Sequence, residues 1–482
     1  MEKPIIVWFR RDLRLADHAA LSAAVATGQP VVPVFVLDDA SPARWRAGAA
    51  TRWWLHFSLE QLGRSLAERG GALVLRRGDA RQVLVELAAE CEAAGVYCTR
   101  GYEPWAGDLE IDLRDRLAAS GVVLKRFAGA LLHDPDRLKT QAGSPFKVFT
   151  PFWNALRRVE IARPLDVPPR IPLPAKKPKS ERLQDWKLLP RRPDWAGGLR
   201  DAWTPGESAA RERLVAFLDD GLADYATQRN RPDRAGTSRL SPHLAFGEIS
   251  VRQCWFAAKS AAGRVPHSDA GPETFLKELA WREFSAHLLH HWPTLPDDPF
   301  RKEFAAFPWR PDAKALKAWQ RGMTGYPIVD AGMRELWATG WMHNRVRMIV
   351  ASFLIKDLLQ PWQDGEAWFW DTLVDADLAN NAASWQWVAG SGADAAPYFR
   401  IFNPIKQGET FDPDGSYVRR WVPELAALPA AAIHAPWLAR GDVLAAAGVE
   451  IGVSYPAPIV DHGEARQAAL SAFASLKGSS AD

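Results

Sequence analysis

Ile5-Ile6-Val7-Trp8-Phe9 is an unbroken apolar run, and Arg10-Arg11-Asp12-Leu13-Arg14 follows it directly. A short apolar run closed by charge reads as a buried strand. Val31 to Leu37, Ala72 to Leu75, Val96 to Thr99 and Val122 to Leu124 repeat the pattern. Between them, Thr51 to Glu68 and Ala80 to Ala94 have helical periodicity. Strand–helix alternation of this kind predicts an α/β amino-terminal domain with a doubly wound parallel sheet. The charged turn after the first strand lacks the GxGxxG that seats a dinucleotide pyrophosphate, which argues against an NAD-type site there.

Working outward, the pattern changes twice. Pro164 to Trp203 is rich in Pro and Lys and loses apolar periodicity, as a connector would. Beyond it, Ala209 to Leu218, Glu273 to His290, Asp330 to Leu336, Arg345 to Leu359 and Glu366 to Trp370 suit helices, and strand signals are scarce. The expected organisation is an α/β domain over 1–130, a linker over 131–205 and an all-α domain over 206–482. Gly478 to Asp482 should fray.

With 482 residues, 47% of them hydrophobic and 24% charged, the chain is globular and long enough for two domains. Sixty Lys and Arg against 57 Asp and Glu exclude a bulk polycation but not a local basic groove. Three cysteines exclude a disulfide scaffold and an all-cysteine iron–sulfur cluster. The eleven histidines show no HExxH spacing, so no metal site is expected. No signal peptide or membrane span is recognisable, and a cytoplasmic location is expected. Tryptophan stands out, with 23 Trp against 7 Tyr.

Four stretches gather chemistry. Gly236 to Gly247 contains Thr237, Ser238, Arg239, Leu240 and Ser241, hydroxyls and a cation leading into a helix start, with Arg229, Arg231 and Arg234 upstream. That suits an anion, or a plain helix cap. Phe275 to Phe284 puts Glu278, Trp281 and Arg282 on one helix face: an i,i+4 ion pair beside a buried indole, or a carboxylate and an aromatic plate flooring a base pocket. Gly340 to Met348 crowds Asn344, Arg345, Arg347 and Met348 at a helix start, which reads as an exposed helix or as a reader of phosphates and base edges. Asp375-Ala376-Asp377 to Trp387 packs carboxylates, amides and two Trp into a short run, read as a loop with Trp385 and Trp387 on opposite sides.

Trp385-Gln386-Trp387 followed by Asp394 to Pro404 resembles the photolyase–cryptochrome family. So do Thr237 to Ser241, Trp281 to Phe284, Gly325 to Asp330, Trp341 to Met348 and Trp8 to Arg14. The resemblance spans nearly the whole chain and points to a bacterial cyclobutane pyrimidine dimer photolyase of the class III branch. It implies an α/β antenna domain and an all-α domain holding U-shaped FAD, active as FADH−. Tyr225 and Thr237 to Ser241 would hold ribityl and phosphates, and Phe275 would line the flavin pocket. Arg347 and Asp375 would pair along the ring system, Asp377, next to Ala376, would accept near it, and Asn381 would face N5. Glu278, Trp281, Asn344, Met348 and Trp387 would receive the flipped dimer, with Arg229, Arg282, Arg345, Arg400 and Gln407 on the DNA backbone. Trp385, Trp362 and Trp309 match the electron-transfer triad. Tyr102-Glu103 is followed by Pro104-Trp105-Ala106, not the Asn-Glu of one folate subgroup. The resemblance to the class III branch implies methenyltetrahydrofolate in another groove as the antenna, with deazaflavin, flavin or no antenna left open. The implied partner is damaged DNA, without a membrane or an obligate protein partner, and the protein is expected to be a monomer. The alternative is a cryptochrome photoreceptor, against which the lack of a long carboxy-terminal extension counts.

Overall fold

The five apolar runs form five strands: β1 Ile5–Phe9, β2 Val31–Leu37, β3 Val74–Arg77, β4 Gly95–Thr99 and β5 Val123–Phe127. Their order is β3-β2-β1-β4-β5 with every pairing parallel, and Ile5 lies opposite both Val31 and Gly95. This is the doubly wound arrangement that strand–helix alternation predicts. Every residue of β1, β2 and β4 is buried, as a covered parallel sheet requires. Alternation sorts the side chains: Ile6, Trp8, Val32 and Val34 join Leu84, Leu87, Leu109 and Leu113 in one core. The edge strand β5 differs, exposing Val123, Lys125 and Arg126. Its polar second half hides it from an apolar-run reading, which ends the strand at Leu124 where the structure continues to Phe127. The periodicity reading also passes over two helices, Ala19–Val25 and Ala106–Ala118.

The computed structural model describes residues 2–263, 270–395 and 399–478. The end of the tail expected to fray, from Ser479 on, and Ala396, Pro397 and Tyr398 of the motif string lie outside the described residues. The chain forms two compact units. One comprises Met1–Ala223, Ser238–Pro293 and Val374–Ala379, the other Asp224–Thr237, Thr294–Leu373 and Asn380–Asp482.

In the first unit the charged turn after β1 is a structural lock. Asp12 accepts from Thr99 Oγ1 at 2.6 Å and meets His18 Nε2 at 3.0 Å. Arg10 pairs with buried Glu110 at 2.7 Å, and the buried Arg14 donates to the carbonyls of Ala16, Asp17 and Gly247. Gly247 has φ +64°, and a Cβ there would lie 2.1 Å from the Arg11 carbonyl, so only glycine allows this approach. The Pro- and Lys-rich stretch runs along the sheet: Val31 N donates to Pro172 O at 2.7 Å and Glu181 N to Leu75 O at 2.9 Å. The helix Phe149–Leu156 precedes it.

In the second unit, helices and loops account for the described residues apart from an isolated bridge between Ile451 and Tyr455. The helix read over Arg345 to Leu359 is two pieces, an α-helix Asn344–Ser352 and a wider π-helical turn Phe353–Asp357. Trp385 and Trp387 lie on the helix Leu378–Ala389, which corrects the loop reading. Two residues apart on a helix, they diverge by about 200°, so their different environments survive the correction. No described helix is long and apolar enough to cross a membrane.

Candidate functional site

The first unit carries three groups of predicted residues. Ser238, Arg239, Leu240 and Ser241 lead into the helix Ser241–Ala245. Arg239 has φ +50°, an uncommon conformation for a side-chain-bearing residue, and its guanidinium lies 4.4 Å over the Trp203 ring. Leu240 is buried as the anchor, while Ser238 is half-buried and Ser241 exposed. The geometry leaves hydroxyls and a cation at a helix start, donor chemistry that fits a pyrophosphate.

The second group sits on the helix Ala270–His291. Phe275 is buried, 4.8 Å from Phe217. Glu278, Trp281 and Arg282 are all half-buried on one face. Trp281 stacks flat on Phe149, with centroids 3.7 Å apart and planes at 5°. Arg282 donates to Ala130 O at 3.2 Å and pairs with buried Glu283, so part of its guanidinium serves the fold. Phe149 lies in the stretch read as a linker, and nothing in its neighbourhood signals this stacking role. The third group is Asp375, Ala376 and Asp377. The first two are buried, Asp377 is half-buried, and Ala376 O accepts from Arg11 at 3.0 Å.

In the second unit, Tyr225 is buried and carries Arg229 over its ring at 5.6 Å, while Thr237 is half-buried. His343 caps the helix Asn344–Ser352, accepting from Arg345 N at 3.2 Å. Burial, with Arg345, Arg347 and Arg229 nearby, pushes its pKa down to about 4. Asn344 is exposed, while Arg345, Arg347 and Met348 are half-buried. Arg347 donates to Met342 O at 2.8 Å. Arg345 donates to Asn230 at 2.8 Å and lies 4.4 Å over Phe411. Burial first, then Arg229 and Arg400, lower its pKa. Three arginines close enough to repel one another make a cationic patch suited to phosphates.

Trp387 is half-buried and donates to Asp394 O at 3.1 Å. With exposed Arg400, Ser352, Lys356 and Phe402 it lines a small pocket. Lys356, which sequence reading misses because it sits in an apolar run, donates to Arg400 O and lies 4.5 Å over Phe399. Burial pulls its pKa down to about 7, against the pull of Asp357 and with the push of Arg400. Gln407 is half-buried, and its Oε1 has no hydrogen-bond partner among the described residues.

The triad residues share this unit. Trp385 and Trp362 are each 2% exposed and Trp309 is half-buried. Trp385 meets Phe369 edge-on at 5.0 Å, and its ring fills the space a Cβ on Gly365 would need, 2.1 Å away. Gly365 lies on the helix Trp362–Thr372 that Trp362 opens. Trp309 packs on Phe307 at 4.3 Å, and the next residue, Arg310, donates its N–H to Leu359 O just before that helix. Asn381 is buried and its Nδ2 donates to Glu366 O at 3.0 Å. It keeps an uncharged acceptor oxygen and a second amide N–H to offer a ligand. Cys91, Cys98 and Cys254 are unpaired, and burial raises each thiol pKa, to about 12 for Cys98 and Cys254.

A family model described as "FAD binding domain of DNA photolyase" matches residues 275–475, and one described as "DNA photolyase" matches residues 5–174. The chain is 53% identical to the deoxyribodipyrimidine photo-lyase of Agrobacterium fabrum over 98% of each chain. It is 40% identical to cryptochrome-1 of Arabidopsis thaliana, over 96% of this chain and 69% of that one. The crystal structure of a bacterial class III photolyase from Agrobacterium tumefaciens superposes with a TM-score of 0.95 at 52% identity, covering 99% of this chain and 98% of that chain.

Proposed function

The chain belongs to the DNA photolyase family, and we propose that it is a deoxyribodipyrimidine photo-lyase, a light-driven carbon–carbon lyase that splits cyclobutane pyrimidine dimers in DNA. The observation that carries the repair reading over the photoreceptor is the end-to-end match to a photo-lyase at 53%, against 40% to a cryptochrome. The division of labour proposed is antenna over 1–130, linker over 131–205, and FAD binding and repair over 206–482.

Reduced FAD, when bound, supplies the electron that an absorbed photon sends to the dimer and that returns after the ring splits. Thr237 to Ser241 and Tyr225 would hold its phosphates and ribityl chain, Phe275 would line its pocket, and Arg347, Asp375, Ala376 and Asp377 would serve its ring system. Asn381 offers a neutral acceptor, which suits a protonated ring nitrogen without adding charge. The other residues handle the lesion. A dimer stacks and pairs poorly, so extruding it costs less than extruding a normal pair. Trp281, held flat by Phe149, and Trp387 are the aromatic walls proposed for it, and Asn344 and Met348 are further contacts proposed for it. Glu278 hydrogen-bonds the dimer edge. Arg229, Arg282, Arg345, Arg400 and Gln407 hold the flanking backbone, and Arg229, Arg345 and Arg400 make affinity salt-dependent. Trp309, Trp362 and Trp385 pass electrons inward to keep the cofactor reduced. The antenna proposed is methenyltetrahydrofolate, the partner is dimer-containing DNA, and the protein acts as a cytoplasmic monomer.

The test is photoreactivation. Blue light should restore intact thymines in dimer-containing DNA, and Glu278→Ala should lower the repair quantum yield several-fold while leaving flavin content unchanged. No restoration, together with accumulation of a stable neutral flavin radical, would establish the photoreceptor instead.

A further inference from the structure

Outside the site described above, the carboxy-terminal end of the helix Ala270–His291 meets the loop at Asp134–Asp136. His290 Nε2 lies 2.7 Å from Asp136 Oδ1, and His291 Nε2 lies 3.2 Å from the Pro135 carbonyl. One ligand atom from each of Asp136, His290 and His291 falls within 4.8 Å of the others.

We propose that Asp136, His290 and His291 form a binding site for a divalent transition-metal ion of the zinc class. Two imidazoles and one carboxylate are the ligand chemistry such ions take, with water completing the shell. Around a tetrahedral ion at 2.0–2.1 Å, ligand atoms stand roughly 3.3 Å apart, inside the 4.8 Å spread that these three atoms already keep.

The surroundings prepare it. The two oxygens of Asp136 are divided: Oδ1 faces His290, while Oδ2 accepts from Arg100 at 2.9 Å. Arg100 thus orients the carboxylate from its far side, as an outer-shell partner does. A neutral imidazole keeps the lone pair a metal needs. A ligating imidazole presents a lone pair to the ion, so the ion would stand between His290 Nε2 and Asp136 Oδ1 where the two atoms now meet. The helix carboxyl end also favours a cation.

The loop is already fastened to this helix further back, by Arg282 to Ala130 O and by Leu132 N to Glu283 at 2.7 Å. A bound ion would add a clasp at the far end of the helix that carries Glu278 and Trp281.

The experiment is zinc titration of the tag-free full chain by calorimetry at pH 7.5, with cobalt absorption as a second readout. The expected result is one zinc per chain and a visible cobalt band. His290→Ala and the isosteric Asp136→Asn should each weaken binding at least tenfold and abolish the band. Zinc should also slow hydrogen exchange in residues 130–136 and 285–291. Should His290→Ala fail to fold, Asp136→Asn reads the same site. Absence of binding, or equal binding by folded Asp136→Asn, overturns the proposal, and protection elsewhere in the chain places the ion at another site and overturns it too.

Discussion

Two sets of tryptophans differ in burial, and the difference suits one side chain to the two jobs proposed for it. Trp385 and Trp362 are sealed in packed protein, Trp385 against the bare backbone of Gly365. Trp281 and Trp387 are half-open, one flat on Phe149 and the other lining a pocket with Arg400. A sealed indole cannot touch DNA, but it sits in a dry, rigid setting suited to passing charge. A half-open indole with one face backed has its other side available to a flat ligand.

The largest expected effect separates the sets directly. Trp362→Phe should slow light-driven flavin reduction tenfold or more, followed by absorbance, while the same protein reduced chemically repairs dimers normally. Equal losses in both assays would break the contrast. Gly365→Ala comes next, because the added methyl must displace the Trp385 ring. An overpacked core costs about 1–3 kcal/mol, read as a lowered Tm and faster loss of flavin. Trp281→Ala should cost a similar or smaller amount, about 1–3 kcal/mol per stacked base. It should appear in affinity for dimer-containing DNA and leave photoreduction unchanged.

The remaining effect is a pH dependence and concerns Lys356, beside Trp387. Its folded pKa of about 7 lies below the ordinary 10.5. Between those values the unfolded chain binds the extra proton, so stability should rise with pH across that window and be lost as pH falls toward 7. The slope is at most about 1.4 kcal/mol per pH unit. Lys356→Met should remove this component, seen as a flatter difference in denaturant midpoint between pH 7 and 10.

What was legible in the sequence followed local rules. β1 and β2 are long apolar runs and keep their read boundaries, because burial on both faces leaves no room for polar residues. β5 extends past its apolar run because an edge strand tolerates Lys125 and Arg126. The shared face of Glu278, Trp281 and Arg282 follows from helix spacing alone. The π-helical turn at Phe353–Asp357 carries no local signal, and neither does Lys356 within it.

The parallel sheet, the helical remainder and the family are legible without coordinates, because strand length, helical period and ordered motifs are written along the chain. Tertiary structure alone decided that Phe149 backs Trp281, that Gly365 admits Trp385, and that Asp136 meets His290 across 154 positions. Such contacts depend on distances between segments remote along the chain, which local propensity does not encode. They form only when burial of the apolar cores brings those segments together.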